Sequence, residues 1–480
     1  MAVNNEFEHE LVSPTAEAGE LKKGTMGVLG ASVMAVALIT PLTTLSSNMV
    51  ESLVLGVGPA TVVVTVVVTV LLFFFSAGYS VLGRFVVDSG AYAAYAAHGL
   101  GRMAGSGIGL IAAVGYNLAT VAFVGIGGYF LMNSFVPLGL DLPWWVYSIV
   151  ILVLVTWLGV IGVGVASKVN SVICALQFVM IFVFFLAVLF QSPGNFTGEV
   201  FSMTGVTPAA FGLSIVFILL SLSGFESSSA YGEEVREPVK TIPRVTYLVL
   251  ITLSILFALG SWVLVAASNG DPVGLSGGDP GTLVPTLYST YLGGWTGPVT
   301  NFIIAVTIVS AAIAFNNLST RYMYASARAG ILPAALARTH SRFFTPHIAV
   351  FCQVGVTVLL LVPFAVSGGS PMVDLLPAIG GYNALNMMTK MTTVSVSTIA
   401  SKVKGTIHGS TYETLIAPTI AIVGFLAATC LVIAHYGDIT GSGTFWVNLM
   451  PVMILFFAGW GAIRQRQVDR IAASLQNVRA

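Results

Sequence analysis

Twelve times along its 480 residues the chain runs for roughly the width of a bilayer with almost no charge. Crossing the hydrocarbon takes about 20 predominantly apolar residues per helix. The runs lie near 25–50, 53–79, 103–135, 144–164, 169–190, 208–231, 245–268, 296–324, 347–366, 372–399, 414–435 and 444–463. Hydrocarbon offers the backbone no water, so each run must satisfy its own N–H and C=O groups as a helix. The expected fold is therefore an all-α polytopic membrane protein with twelve transmembrane helices. Only 8% of the residues are charged, against about 25% in soluble domains. The tenth run is the most polar, being rich in Thr, Asn and Met and carrying Lys390.

Lysine and arginine set the orientation. With the N-terminus inside, the external segments fall at about 50–53, 136–143, 191–207, 269–295, 367–371 and 436–443, and none of the 19 Lys and Arg residues lies in them. The external segments hold acids instead: Glu51, Asp141, Glu199, Asp271, Asp279 and Asp438. Both termini are expected in the cytoplasm, with the chain multi-pass in the inner (plasma) membrane. Residues 1–23, polar and rich in Glu, read as a disordered cytoplasmic tail and not as a secretory signal. A core of ten helices then spans 24–402, helices eleven and twelve span 403–464, and a cytoplasmic tail spans 465–480. The stretch 84–102 reads as an amphipathic helix on the cytoplasmic surface. Residues 270–294, rich in Gly and Pro, read as a lid over the outer vestibule.

Two of the runs interrupt themselves. In the first, ALITPLTTLSSNM places Pro41 and five hydroxyl residues in mid-span, and a proline removes a donor and clashes with the preceding turn. A break is expected near 38–44. In the sixth, Ser221, Ser223 and Gly224 loosen the helix beside a lone carboxylate, Glu226. A charge at the bilayer centre costs at least about 2.5–3.5 kcal/mol, so an intramembrane acid is by default a functional candidate. Non-helical backbone at that depth survives where protein or a wet cavity satisfies it. A matched pair of interrupted helices points to an inverted-repeat transporter with its site near the midplane.

Four segments carry a resemblance to a known family. They are SGFESSSAYGEEVREPVKTIPRV (223–245), SGAYAAYAAHGLGR (89–102), GVASKVNSVICALQ (164–177) and RYMYASARAGILP (321–333). Together they resemble the amino acid–polyamine–organocation (APC) superfamily, of the bacterial amino acid permease type. The resemblance implies a five-plus-five inverted-repeat (LeuT-like) fold with broken helices one and six and two further helices at the end. It implies that substrate meets the exposed backbone of the first span, Leu38, Ile39, Thr40, Pro41, Leu42, Thr43 and Thr44, and of the sixth, Ser221, Ser223, Gly224 and Phe225. It adds Tyr116 and Asn117 on the third helix and Phe315 and Asn316 on the eighth, and it matches Glu226 to a glutamate implicated in proton sensing. The sequence departs from the family in three places. L-I-T-P stands where many members have G-S-G, Leu220 replaces a bulky aromatic, and the helix-five lysine that stands in for a sodium ion is Gln177.

Each of these residues has a second reading. Glu226 either couples a proton or ties helix ends together. Tyr116, Asn117 and Phe315 either line the cavity or pack helices, and Lys390 is either an internal counter-charge or a snorkelling surface residue. Glu233, Glu234 and Arg244 read as a cytoplasmic ion-pair cluster.

The expected function is secondary active transport of an amino acid, neutral first, by proton-coupled uptake. The alternatives are a polyamine or cationic amino acid permease, an amino acid exchanger, and a non-transporting membrane sensor. A channel would want a symmetric ring of polar groups. An enzyme would want a motif such as HExxH or GxSxG, and the six histidines lie in tails, loops or near helix ends. No cofactor or metal is expected, and the cysteines Cys174, Cys352 and Cys430, all in apolar runs, suggest no disulfide or zinc framework. The expected partners are one small solute, a proton and the lipid bilayer. A net charge of zero gives no reason to expect nucleic acid.

Overall fold

Where the solvent is hydrocarbon the backbone must pair with itself, and among the described residues of the computed structural model there is helix but no strand. The structure describes residues 28, 32, 36, 39–86, 92–162, 167–223, 225, 238–443 and 445–479. The helices before the first long loop are α1 (Pro41–Thr44), α2 (Val50–Val54), α3 (Thr61–Phe85), α4 (Tyr92–Leu100), α5 (Arg102–Phe135) and α6 (Trp144–Ile161). Next come α7 (Ser167–Gln191), α8 (Pro208–Leu222), α9 (Pro238–Ala267), α10 (Pro272–Ser276), α11 (Pro280–Leu292) and α12 (Thr296–Arg328). The chain ends with α13 (His347–Ser367), α14 (Leu376–Val403), α15 (Ala417–Ala434), α16 (Tyr436–Thr440), α17 (Phe445–Asn448) and α18 (Met450–Arg479).

Eight helices among the described residues are long and apolar enough to cross a membrane, and they contain α3, α5, α6, α7, α9, α12, α13 and α15. The expected first, sixth, tenth and twelfth spans are not among them, each for a physical reason. The first begins in residues outside the described set and reappears in short pieces. The sixth, α8, stops after 15 residues. The tenth, α14, is 28 residues long but polar, as its Thr, Asn and Lys390 foretell. The twelfth, α18, starts later than expected and carries charges into residues 465–479, which continue as helix.

The third span is the axis of the bundle. α5 is 34 residues long, about 50 Å at 1.5 Å per residue, and packs against α4, α6, α12, α13, α14 and α18. Small residues let so many helices close on one. A Cβ on Gly128 would come within 2.5 Å of the Trp144 carbonyl of α6, and one on Gly107 within 2.9 Å of the Ala458 carbonyl of α18. In the most apolar stretch of α5, 67% of residues are buried, against 28% in α7 and α13. The last two therefore form the rim, and Phe182, Phe190, Leu359 and Val366 present bare hydrocarbon there.

Two segments differ from expectation. The short link read as the external segment 50–53 is helical: Val50, Glu51, Ser52 and Leu53 are all fully buried in α2. Ser52 is bonded to Thr61 (2.7 Å) and donates to Ser214 (2.8 Å), so hydroxyls of α3 and α8 draw α2 inward. The actual link is Leu55–Ala60, turned by Gly58 at φ 61°. The expected surface helix forms as α4, but its Tyr92, Tyr95, Ala96 and Gly99 face is buried against α14, with Ser397 bonded to the Tyr95 carbonyl.

Close approach at Gly128 sets a stability test. Gly128→Ala forces α5 away from α6 and should cost about 1–3 kcal/mol, read as a lower melting temperature of the detergent-solubilised protein. Gly355→Ala on α13, where a Cβ meets nothing within 4 Å, should leave the melting temperature unchanged or raise it.

Candidate functional site

The first span breaks at Thr40. This β-branched residue sits at φ 50°, ψ 73°, a left-handed conformation that costs about 1–3 kcal/mol and persists only where the surroundings enforce it. Pro41 follows, and a proline disfavours helical backbone in the residue before it while suiting the first turn of the helix after it. The break therefore lies inside the predicted 38–44 window, and Leu38 itself lies outside the described residues.

Buried backbone at a break must find partners. The Thr44 hydroxyl donates to the Ile39 carbonyl (2.7 Å), and the Thr44 N–H donates to the Thr40 carbonyl (3.0 Å). Leu42 N–H, at the start of α1, donates to Gln177 Oε1 on α7 at 3.0 Å. Gln177 Nε2 in turn donates to Thr307 Oγ1 on α12 at 3.0 Å, and that hydroxyl donates to the Ile303 carbonyl (2.8 Å). One fully buried, uncharged amide thus staples the opened first span to the fifth and eighth. Beyond it the helix relaxes into a π-helical stretch, Leu45–Met49, a geometry frequent at functional sites. Thr43 and Ser46, one turn apart, keep buried hydroxyls with no partner among the described residues. They are free hydrogen-bonding groups beside the broken backbone.

The helix of the sixth span stops inside the window where a break is expected, and residues 226–237 beyond it lie outside the described set. α8 ends at Leu222, and Ser223 turns extended (φ −68°, ψ 145°) while its N–H still reaches the Leu219 carbonyl (3.0 Å). Ser221 and Ser223 donate to the carbonyls of Phe217 (2.7 Å) and Leu220 (2.6 Å), the back-bonding that loosens a helix end. α8 packs directly on Leu45–Met49, so the two interrupted spans meet. Phe225 is fully buried with its ring 6.2 Å from Phe75 on α3, an aromatic core contact. Gly224, Glu226, Glu233 and Glu234 lie outside the described residues.

An aromatic wall stands between α5 and α12. Phe315 lies 5.9 Å from Tyr116 and 5.1 Å from Phe123, and Tyr116 lies 5.4 Å from Tyr322. Lys390 of α14 does not snorkel: it is 8% exposed, with its ammonium 5.4 Å from the ring centres of both Tyr92 and Tyr116. Asn117 and Asn316 are both buried. Asn117 donates to the Ala113 carbonyl on its own helix (2.7 Å). Asn316 lies nine residues beyond Thr307, about 180° around α12 at 100° per residue. Its amide is buried beside Gly159 of α6, on the face away from Gln177.

Sequence reasoning missed Thr307 and the function of Gln177. A threonine in an apolar run carries no signal of its partner, and the Leu42–Gln177 bond joins residues 135 apart. A cavity of about 560 Å³ between α3, α8 and α15 is separate from this site. Val67, Val70, Ile420 and Val423 line it and are exposed, so it is a hydrocarbon groove on the outer wall.

A family model described as amino acid permease matches residues 26–399 of this chain, covering both breaks, the aromatic wall and Lys390. The chain belongs to the amino acid permease family. It is 24% identical to the branched-chain amino acid permease BcaP of Bacillus subtilis over 45% of this chain and 45% of that protein. It is 23% identical to BcaP of Lactococcus lactis, over 64% of this chain and 68% of the relative. To the gamma-aminobutyric acid permease of Escherichia coli it is 26% identical, over 57% and 59%. The chain thus spans less than half the length of the first of these relatives.

Replacing Gln177 tests the staple. Gln177→Leu keeps the volume but strands the Leu42 N–H in a dry core, which should cost about 1–3 kcal/mol and lower the melting temperature. Thr307→Val leaves the Leu42 bond intact and should cost less. Equal melting temperatures for both variants and wild type would show that the amide does not hold the break.

Proposed function

We propose that this permease is a secondary carrier importing a neutral amino acid, of the branched-chain type, by proton-coupled alternating access. The observation that carries the reading is the opened first span. There the unpartnered Thr43 and Ser46 hydroxyls lie beside a neutral amide, Gln177, with no fixed charge of either sign among the described residues bonded to the break. A zwitterion fits such a place: the positive end of a half-helix suits its carboxylate, and freed carbonyls suit its ammonium. The rings of Tyr116, Phe123 and Phe315 offer an apolar wall to a hydrocarbon side chain. Two of the relatives are named for branched-chain amino acids, which supports this choice.

A polyamine or cationic amino acid is disfavoured by Lys390, whose charge at 5.4 Å from the Tyr116 ring repels a second cation against that wall. In this reading the chain has twelve spans in a five-plus-five inverted repeat, followed by helices eleven and twelve. Both termini are cytoplasmic in the inner membrane, an orientation supported by the segregation of Lys and Arg. Glu226, which lies outside the described residues, remains the proposed proton carrier, since an acid within an apolar spanning run is a functional candidate and Gln177 cannot titrate.

The test is uptake of labelled leucine into proteoliposomes with and without an inward proton gradient. Leucine should accumulate with acid outside, and a protonophore should collapse the accumulation. An excess of unlabelled isoleucine should compete strongly, and putrescine weakly. Absence of flux for any amino acid or polyamine would remove the carrier reading. Glu226→Gln should flatten the pH dependence of uptake while leaving leucine binding largely intact, and an unchanged pH profile would put the proton elsewhere.

A further inference from the structure

One buried acid has no part in the site above. Glu51 on α2 is fully buried, and neither of its carboxylate oxygens has a hydrogen-bond partner among the described residues. A charged carboxylate in that position would suffer the full cost of desolvation with nothing to offset it. It is not isolated from other acids. α2 packs against the external helices α10 and α11, and Glu51 lies within electrostatic range of Asp279 and of Tyr129.

Asp279 holds the external helices in place. Its Oδ1 accepts from Gly281 N–H (3.0 Å), capping α11, and its Oδ2 accepts from the Tyr129 hydroxyl of α5 (2.9 Å). Gly281 presses on the Tyr129 ring so closely that a Cβ would come within 2.5 Å of it. Burial pushes the Asp279 carboxyl above the usual carboxylate range, although both hydrogen bonds pull it back down. α11 is seated by Leu283, Val284, Leu287 and Tyr288, all buried.

Among the described residues no cation sits opposite this pair on the neighbouring elements. Tyr129 faces it from α5, while Tyr288 of α11 is stacked 4.6 Å from Phe184 on α7. On α10, Asp271 is exposed and bonded to the Gly274 N–H (2.8 Å). α8, Leu45–Met49 and the second half of α9 carry no titratable side chain. Two carboxylates closed together in low dielectric cannot both stay ionised.

We propose that Glu51 and Asp279 form a proton-binding site at the external end of the bundle, holding one proton between them while α10 and α11 lie closed on α2. The orphaned oxygens of Glu51 carry that proton as a neutral carboxylic acid, while Asp279 keeps its bonds to Tyr129 and Gly281. When the external helices lift, water reaches both groups and the proton passes to the external solution. Closure therefore takes up a proton, so acid favours the closed arrangement and rising pH favours the open one. Taking these helices as an outer gate rests on the carrier reading; the proton site does not.

The experiment is hydrogen exchange on the full chain in lipid nanodiscs, following peptides from 272–292 at several pH values and corrected for the intrinsic pH dependence of amide exchange. In wild type, protection should fall as pH rises, by up to about tenfold per pH unit, the limit for release of one proton. Glu51→Gln mimics the protonated acid and should keep the segment protected at every pH. Asp279→Asn, which retains a capping side chain, removes the neighbouring negative charge and should confine the loss of protection to lower pH than in wild type, so a misfolded Glu51 variant would not leave the question open. pH-independent protection in wild type, or a wild-type profile in both variants, would overturn the proposal. Because exchange needs no transport, a failure of leucine uptake leaves this result standing, and the reverse also holds.

Discussion

A single hydrogen bond carries the logic of the molecule: the Leu42 N–H donated to Gln177 at the opening of the first span. A membrane helix can be opened only if something replaces the bonds it gives up. Here Thr44 supplies one replacement from within the broken span and Gln177 supplies the other from the fifth. Because the second comes from another helix and continues to Thr307, the break is locked into the bundle and is not a local kink. The Gln177 bond acts together with Pro41 and the Thr44 bonds to hold Thr40 at φ 50°.

That bond also sets the electrostatic character of the site. A lysine in place of Gln177 would put a positive charge beside the opened backbone, whereas the amide puts none. Lys390 is a buried cation set against the aromatic wall and against Tyr92 of the docked α4. The arrangement separates a neutral backbone site from a cationic aromatic one. Glu51 and Asp279 belong to a different set of residues, joined through Tyr129 and the cap of α11 and not through Gln177.

Much of this was legible in the sequence, and the parts that were not share a cause. Pro41 after a run of hydroxyl residues located the first break, because proline acts on its own neighbours. Ser221 and Ser223 located the second for the same local reason. What stayed hidden was long-range. Glu51 looked like a loop acid until the Ser52 bonds to Thr61 and Ser214 drew its helix inward. α4 looked like a surface helix until its tyrosine face met α14. Polar side chains in apolar runs announce that they need partners, but not which ones.

The most direct test of the central claim is thiol labelling at Thr43→Cys, in a background with Cys174, Cys352 and Cys430 replaced by alanine. If the opened span borders a wet chamber that alternates between the two sides, a small membrane-permeant maleimide should label this position, and leucine should slow the labelling. A thiol that stays unreactive in the folded protein, or reacts at a rate leucine does not change, would place Thr43 in a dry seam and contradict the account.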